Sequence, residues 1–231
     1  YGSNMQIVIP MSGFGERFRI AGYTIPKSLI IVEGKTIIQH IVEMFSKEDD
    51  FIFICNEDHL ADPEYKMQST LEEICNSGKI VSIHPHKLGP VYTVMEAIEH
   101  IDLDKPTVVN YCDFTCYWNY GDFKKFIIKT DAEGVLPSYR GFHPHTLWNN
   151  YYAYIKETNL RACTIQEKQP FTDNPKNEFA SSGTYYFKSG ALMKNYFQKS
   201  IDKNLTVNNE YYVSMVYQPM MDDGLNEIGR A

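Results

Sequence analysis

Short apolar runs alternate with segments of helical period through the first half of the chain, and this alternation restricts the fold more than any other feature. The runs lie at residues 6–10, 51–55, 79–83 and 107–111. Between them, residues 36–45 and 91–101 place their apolar side chains on one helical face. Such alternation is typical of βα units around a mainly parallel sheet. We therefore expect an α/β fold whose open, doubly wound sheet is flanked by helices.

The pattern changes after residue 113. Aromatic, irregular stretches at 151–156, 162–166 and 183–187 predict strands that no long helix separates, and hence a mixed sheet. Segments of helical period at 190–199 and about 209–218 predict two closing helices.

The chain shows no internal repeat, low-complexity tract or linker, so we expect a single domain over residues 5–231. Residues 1–4, which precede Met5, are expected to be a remnant of an expression vector.

Charge and composition exclude several classes of protein. The chain has 22 Lys and Arg against 29 Asp and Glu, a net charge of −7, which argues against a groove for nucleic acid. No apolar run approaches the roughly 18 residues of a membrane span, and no signal segment is visible, so we expect a cytoplasmic protein. The five cysteines lack Cys-x-x-Cys spacing, which favours reduced, mostly buried thiols over disulfides or zinc.

A glycine-rich segment follows the first apolar run and carries the chemistry. Gly13 and Gly15 allow a close approach of backbone N–H groups to phosphate oxygens, and Arg17 and Lys27 would supply cations. The alternative is an ordinary glycine turn beside surface basic residues. The segment lacks the Gly-Lys-Ser/Thr of a Walker loop and the third glycine of a dinucleotide fingerprint. The predicted nucleotide contacts are Met11, Ser12, Gly13, Phe14, Gly15 and Glu16.

A carboxylate ends the fourth apolar run. Asp113 follows Cys112 directly, and an oxygen ligand at the end of a strand suits a divalent ion that bridges phosphates. We place Cys112 beside the nucleotide. Asp113 could instead be the N-cap of a following helix.

The glycine segment and the later Pro-Lys pair resemble the signature of nucleotidyltransferases with a Rossmann-like GT-A fold, the sugar-nucleotide pyrophosphorylases and small cytidylyltransferases. Residues 9–18 and 22–27 also resemble nucleotidyltransferase domains of bacterial capsule-synthesis clusters, which have also been labelled glycosyltransferase-like. The resemblance implies that Asp113 holds Mg²⁺, that Arg17 stabilises the leaving pyrophosphate and that Lys27 stabilises the α-phosphate.

Further residues resemble the acceptor side of the same family. Glu167 and Lys168 are similar to a Glu-Lys pair that binds the acceptor's hydroxyls and phosphate, and Gly183 begins a matching Gly-x-Tyr-x-Phe strand. His143 and His145 lie where relatives line the acceptor pocket; contacts with the acceptor are favoured over a metal site for these histidines, and surface placement is favoured over both. A Glu-Lys pair can also be a solvated surface pair.

Two positions depart from the family pattern. Gly89 matches a Gly-Thr loop that grips the base and ribose, but Pro90 replaces the threonine, and Lys87 is offered as a nearby contact. The second metal aspartate is replaced by Met215, so Glu210 is the substitute candidate. Glu210 could instead be an acid that complements a helix dipole.

The resemblance implies an Mg²⁺-dependent transfer of a nucleoside monophosphate from an NTP to a phosphorylated amino acid, sugar or polyol. CTP is favoured because the loop at Met11–Gly13 is nearer to the cytidylyltransferase sequence. A glycosyltransferase that uses a nucleotide sugar and a nucleotide-binding domain without turnover remain the alternatives. The many aromatic residues after Tyr111 suit an acceptor pocket or a contact between subunits, so a homo-oligomer stays open.

Overall fold

The structure is a computed structural model that describes residues 4–13, 22, 24–112, 119–140, 153–158, 161–167, 179–181, 183–225 and 227–228. In chain order the strands are β1 (Gln6–Pro10), β2 (Ile31–Val32), β3 (Lys35–Thr36), β4 (Asp50–Asn56), β5 (Lys79–Ile83), β6 (Thr107–Asn110), β7 (Gly134–Val135), β8 (Ser138–Arg140), β9 (Ala153–Thr158), β10 (Arg161–Glu167), β11 (Phe179–Ser181), β12 (Thr184–Phe187) and β13 (Glu227–Ile228).

The α-helices are α1 (Ile37–Val42), α2 (Glu57–Ala61), α3 (Met67–Ile74), α4 (Pro90–Glu96), α5 (Tyr120–Thr130), α6 (Gly190–Asp202) and α7 (Val213–Asp222). Two short 3₁₀ helices lie at Lys27–Leu29 and Ile98–His100. Among the described residues, no helix combines the length and apolarity that a bilayer crossing requires.

A seven-stranded sheet forms the centre in the order β13-β7-β12-β6-β1-β4-β5. β1 pairs in parallel with β4 on one side and with β6 on the other, and β5 extends the parallel part. β12 lies antiparallel to both β6 and β7. The expected α/β fold with a mixed, mainly parallel sheet is confirmed.

Both faces of this sheet are buried. On one face Val8, Ile54 and Val109 pack with apolar residues of α4, α6 and α7. On the other, Ile9 and Phe53 pack with residues of α1, α3 and α5. Successive side chains of a strand point to opposite faces, so an almost continuous apolar strand is stable only when both faces are covered. The short apolar runs of the first half therefore belong to the inside of a three-layer fold.

A second, four-stranded antiparallel sheet has the order β10-β9-β11-β8. The strands predicted at 151–156 and 162–166 lie in it, shifted to β9 and β10, whereas the strand predicted at 183–187 is β12 of the main sheet. The two aromatic segments therefore build a layer of their own rather than extending the central sheet.

Several predicted helix boundaries differ from the structure. The segment predicted as a helix over 91–101 ends as α4 at Glu96 and continues as a 3₁₀ turn. The helix predicted from about residue 209 begins only at Val213, because Asn208 and Asn209 have left-handed φ angles of 52° and 64°. The first described helix after residue 113 is α5, whose N-cap Asn119 accepts from the N–H of Asp122; Asp113 lies outside the described residues.

The structure describes the thiols of Cys55, Cys75 and Cys112. Cys55 and Cys112 are buried and Cys75 is partly exposed, which agrees with reduced, mostly buried cysteines. Burial raises the pKa of the Cys55 thiol to about 12, so this thiol stays protonated at neutral pH. Cys116 lies outside the described residues.

The hydroxyl of Tyr217 attaches α7 to the sheet. It is fully buried and donates to the carbonyl of Tyr186 at 2.7 Å. We expect Tyr217→Phe to lower the free energy of unfolding by about 1 kcal/mol, because a buried carbonyl loses a partner. Tyr211→Phe, which removes an exposed hydrogen bond to Asn204, is the matched control and should cost less. Urea denaturation measures both, and equal losses would contradict the role of the buried bond.

Candidate functional site

The loop that follows β1 lies at the carboxyl edge of the parallel strands. The Met11 N–H donates to the Ile54 carbonyl at 2.8 Å, and the Asn56 amide donates to the Ser12 carbonyl at 3.5 Å. Met11 and Ser12 are buried, while Gly13 is exposed. Among the described residues, a Cβ added at Gly13 would meet no atom within 4 Å. The loop is thus anchored by its first residues and faces open space at Gly13.

A chain of hydrogen bonds connects this loop to α4. The Ser12 and Thr93 hydroxyls are 2.6 Å apart, and each residue is only 2% exposed. The Thr93 hydroxyl also lies 2.9 Å from Nε2 of His86. A buried hydroxyl needs a hydrogen-bond partner, so these side chains satisfy one another. The chain joins the loop after β1 to the segment between β5 and α4.

The backbone selects the tautomer of His86. Nδ1 accepts a hydrogen bond from the Leu88 N–H at 3.0 Å, so the proton of the neutral ring sits on Nε2 and points to Thr93. Burial lowers the pKa of His86, and the charges of Glu96 and Glu210 oppose this effect more weakly. Both observations favour a neutral imidazole at physiological pH.

Gly89 makes a close contact with the loop between α6 and α7. Its φ of 90° disfavours any other residue, and a Cβ there would lie 2.8 Å from both the nitrogen and the oxygen of Tyr211. The Tyr211 N–H donates to the Leu88 carbonyl at 2.8 Å, and the Val91 N–H donates to the Tyr211 carbonyl at 3.1 Å. The first turn of α4 is therefore held against residues 210–212.

Glu210 lies beside Gly89, outside the helix. Its carboxylate accepts from the Tyr212 hydroxyl, and its Cβ would be 3.1 Å from a Cβ at Gly89. The alternative interpretation as an acid at a helix N-terminus is wrong, because Glu210 forms a β-bridge with Val207 before α7 begins. The segment stays close to β6, since the Val213 N–H donates to the Tyr111 hydroxyl at 3.0 Å.

Gly183 and Cys112 lie at the same edge of the sheet. The Gly183 carbonyl accepts from the Tyr111 N–H at 2.9 Å, and the next residue, Thr184, donates to the Asn110 side chain at 2.6 Å. The Cys112 thiol donates to the Pro10 carbonyl at 3.5 Å. The structure thus brings predicted residues from the first, middle and last parts of the chain to one edge.

Two predicted cations are described. Lys27 is partly buried at the start of the 3₁₀ turn Lys27–Leu29, and Lys87 is exposed in the turn between His86 and Gly89. Glu167 is the last residue of β10. The remaining predicted residues lie outside the described part of the chain: Phe14, Gly15, Glu16, Arg17, Asp113, His143, His145 and Lys168.

The predicted Mg²⁺ ligands are described only in part. Glu210 is described and Asp113 is not, although Asp113 directly follows the described Cys112. Within the described ranges, no group of three or more His, Cys, Asp and Glu side chains is arranged to hold a metal ion. The carboxylate of Glu210 is an oxygen ligand of the type that Mg²⁺ prefers, so the donor chemistry fits this ion.

Sequence reasoning missed several residues of this edge. Thr93 and Ser12 meet although they are 81 positions apart, and His86 joins them through a side chain that no motif singles out. The sequence placed Tyr111 at the end of a predicted strand and gave no indication of its contact with Val213. The sequence indicates that β1 and β6 are strands of one sheet and that Thr93 lies on a helix. Neither indication specifies which side chains touch.

One family model matches most of this chain. The family model described as nucleotidyl transferase matches residues 7–224. A relative, the bifunctional protein GlmU of Methanocaldococcus jannaschii, is 26% identical over 186 residues, which are 79% of this chain and 40% of that protein. This chain therefore spans about two fifths of the length of that relative.

Solved structures share the fold at low sequence identity. A UDP-glucose pyrophosphorylase complexed with UDP-glucose aligns with a TM-score of 0.73 and 16% identity, covering 99% of this chain and 90% of that one. The inositol-1-phosphate CTP transferase from T. maritima aligns with a TM-score of 0.72 and 14% identity, covering 99% and 86%. These likenesses support the α/β architecture described above.

The two glycines should respond differently to alanine. We expect Gly89→Ala to lower the free energy of unfolding by about 2–4 kcal/mol, because a Cβ would press on the Tyr211 backbone at a left-handed φ. Gly13→Ala, the matched control, should leave the stability within about 0.5 kcal/mol. Thermal and urea unfolding provide the measurement, and equal stability of both variants would contradict the close packing at Gly89.

The pKa values of two neighbouring histidines, His84 and His86, should be shifted in opposite directions. A hydrogen bond to Glu57 at 2.9 Å raises the pKa of His84, whereas burial lowers that of His86. Folding therefore favours the neutral form of His86. The stability that this preference contributes is fully present above a pH of about 6.5 and is lost as the pH falls below that value. NMR titration of the imidazole protons measures both, and Glu57→Gln should move only His84. A higher pKa for His86 than for His84 would contradict the arrangement.

Proposed function

This chain belongs to the nucleotidyl transferase family, and we propose that it transfers a nucleoside monophosphate from an NTP to a phosphorylated small molecule with release of pyrophosphate. One observation carries the proposal: the glycine-rich loop is anchored at the carboxyl edge of the parallel sheet, and its Gly13 is exposed, with no other described residue within 4 Å of a Cβ placed there. In open α/β sheets, ligands bind at this edge. Backbone N–H groups of such a loop suit phosphate oxygens.

The reaction needs no nucleophile from the protein. The attacking oxygen belongs to the acceptor phosphate, which is ionised at neutral pH, and attacks the α-phosphorus while pyrophosphate leaves. Catalysis then depends on positioning and on neutralising charge. Met11, Ser12 and Gly13 would position the triphosphate together with residues 14–16, and Lys27 would stabilise charge at the α-phosphate.

Further cations and the acceptor side follow from the family resemblance. Arg17 would stabilise the leaving pyrophosphate, and Lys168 and Glu167 would hold the acceptor, with His143 and His145 lining its pocket. Lys87, Gly89 and Cys112 would contact the nucleotide, and Gly183 would contact the acceptor. Gly183 and Cys112 lie at the same edge of the sheet as Gly13, which supports placing their contacts in one site.

A divalent ion is proposed at the end of β6. Asp113 and Glu210 would hold Mg²⁺, which when bound would neutralise the phosphate charge that the side chains leave unbalanced. Glu210 already lies beside Gly89, and its segment is tied to β6 by the Tyr111 hydroxyl.

We favour CTP as the nucleotide and a capsule precursor as the acceptor. The loop sequence Met11–Gly13 supports CTP, and one solved structure that shares the fold is a CTP transferase. A UDP-glucose pyrophosphorylase has an equally similar fold, so the assay includes every base. A phosphorylated amino acid, sugar or polyol would each supply the attacking phosphate.

The test is pyrophosphate release with Mg²⁺ from each of CTP, UTP, GTP, ATP and dTTP in the presence of phosphorylated acceptors. We expect release from one nucleotide, and at least a hundredfold lower rate in Lys27→Ala and Asp113→Ala, the order of magnitude for removing one charge-stabilising group. Lys199→Ala is the matched control, because Lys199 forms a surface ion pair with Asp223. Release at the wild-type rate in both site variants would refute the assigned roles.

A chain that binds nucleotide without releasing pyrophosphate would contradict the proposed reaction. Transfer of sugar from a nucleotide sugar would identify a glycosyltransferase instead, and binding without either reaction would identify a domain without turnover.

A further inference from the structure

We propose that Thr93 and His86 are positioning residues for the nucleotide, which hold the loop at Met11–Gly13 in its binding orientation through the Ser12 hydroxyl. The proposal rests on the nucleotide site proposed above. Neither side chain needs to touch the nucleotide. Both act through hydrogen bonds on Ser12, whose neighbour Gly13 is exposed.

The chain of hydrogen bonds has a defined starting point. The Leu88 N–H occupies Nδ1 of His86 at 3.0 Å, which leaves Nε2–H as the donor to Thr93 at 2.9 Å. The Thr93 oxygen accepts this hydrogen bond, and its own hydroxyl proton is available for the Ser12 oxygen at 2.6 Å. A fixed imidazole thereby favours one orientation of the Thr93 hydroxyl, which is paired with Ser12.

The far end of the chain is held rigidly. Thr93 lies in the first turns of α4, whose backbone is bonded to Tyr211 on both sides of Gly89. The Thr93 N–H donates to the Gly89 carbonyl at 3.2 Å. Ser12 therefore bonds to a helix whose position is fixed by backbone hydrogen bonds, rather than to a movable side chain. Preorganisation of this kind lowers the cost of ordering a loop when a ligand binds.

A purely structural role would leave a different signature. Removing one member of a buried hydroxyl pair leaves the other unsatisfied, whereas replacing both by apolar groups of similar shape can be nearly neutral for stability. Stability and nucleotide affinity should therefore separate in the double variant. A pair that only stabilises the fold would recover both properties together.

The experiment measures the dissociation constant of CTP, and of the other four NTPs, by titration calorimetry beside the KM and kcat of pyrophosphate release. We expect Thr93→Val to raise the dissociation constant and KM by about five- to tenfold, the equivalent of one hydrogen bond, with kcat nearly unchanged. Thr93→Ser, which keeps the hydroxyl, should stay within about twofold of wild type. The double variant Ser12→Ala, Thr93→Val should lose less stability than the two single variants together, because both buried hydroxyls are removed, but should keep the weakened affinity.

Two further sets of variants test whether the effect depends on the N–H donor at residue 86 and on the location of the threonine hydroxyl. His86→Gln keeps an N–H donor and should bind nucleotide better than His86→Leu. Thr107→Val removes a buried, hydrogen-bonded threonine hydroxyl at the amino end of β6, far from the loop, and should lower stability without changing the dissociation constant.

The outcomes distinguish the inference from the proposed function. Wild-type affinity in Thr93→Val, or full recovery of affinity in the double variant, would overturn the inference while leaving the function intact. Nucleotide binding without pyrophosphate release would overturn the proposed reaction, and the calorimetric comparison would still decide the role of Thr93. Wild-type protein that binds none of the NTPs would overturn both.

Discussion

The contact between Gly89 and the Tyr211 backbone is the constraint on which the candidate site depends. It exists because a residue without a Cβ adopts a φ of 90° at the start of α4. The contact brings a segment from the end of the chain against a helix from its middle. Glu210, the first turn of α4 and the loop after β1 then lie at one edge of the sheet, each held by hydrogen bonds to the next.

Polar side chains complete a framework that apolar packing begins. The strands of the central sheet are covered on both faces, which fixes the layers but not the position of each loop at their edge. The hydroxyls of Tyr111 and Tyr217 attach the start and the middle of α7 to the sheet. Tyrosine suits this role because its ring packs as an apolar group while its hydroxyl reaches a backbone group.

The elements that the sequence predicted well are those with a local cause. β1 and β5 have the predicted bounds because each is a short apolar run between clear breaks. The start of α7 was predicted too early, because the left-handed Asn208 and Asn209 and the bridge from Val207 to Glu210 depend on contacts with distant segments. The glycine loop could be recognised from its spacing, and its anchoring at the sheet edge follows from β1. The Thr93 contact could not be recognised, since it needs the relative placement of two elements that share no motif.

The hydrogen bonds of the candidate site join residues that are far apart along the chain, and this has a consequence for how the protein acquires binding competence. Ser12 and Thr93 are separated by 81 positions, and both the Cys112–Pro10 and the Val213–Tyr111 bonds span 102. Contacts between distant residues form late, because long loops must close before they contribute. During synthesis, the strands around β1 can pair before the segment that contacts Gly89 has emerged. If the proposed site holds a nucleotide, its occupancy would therefore report complete folding, and the bound nucleotide would stabilise the finished chain over its partly folded precursors.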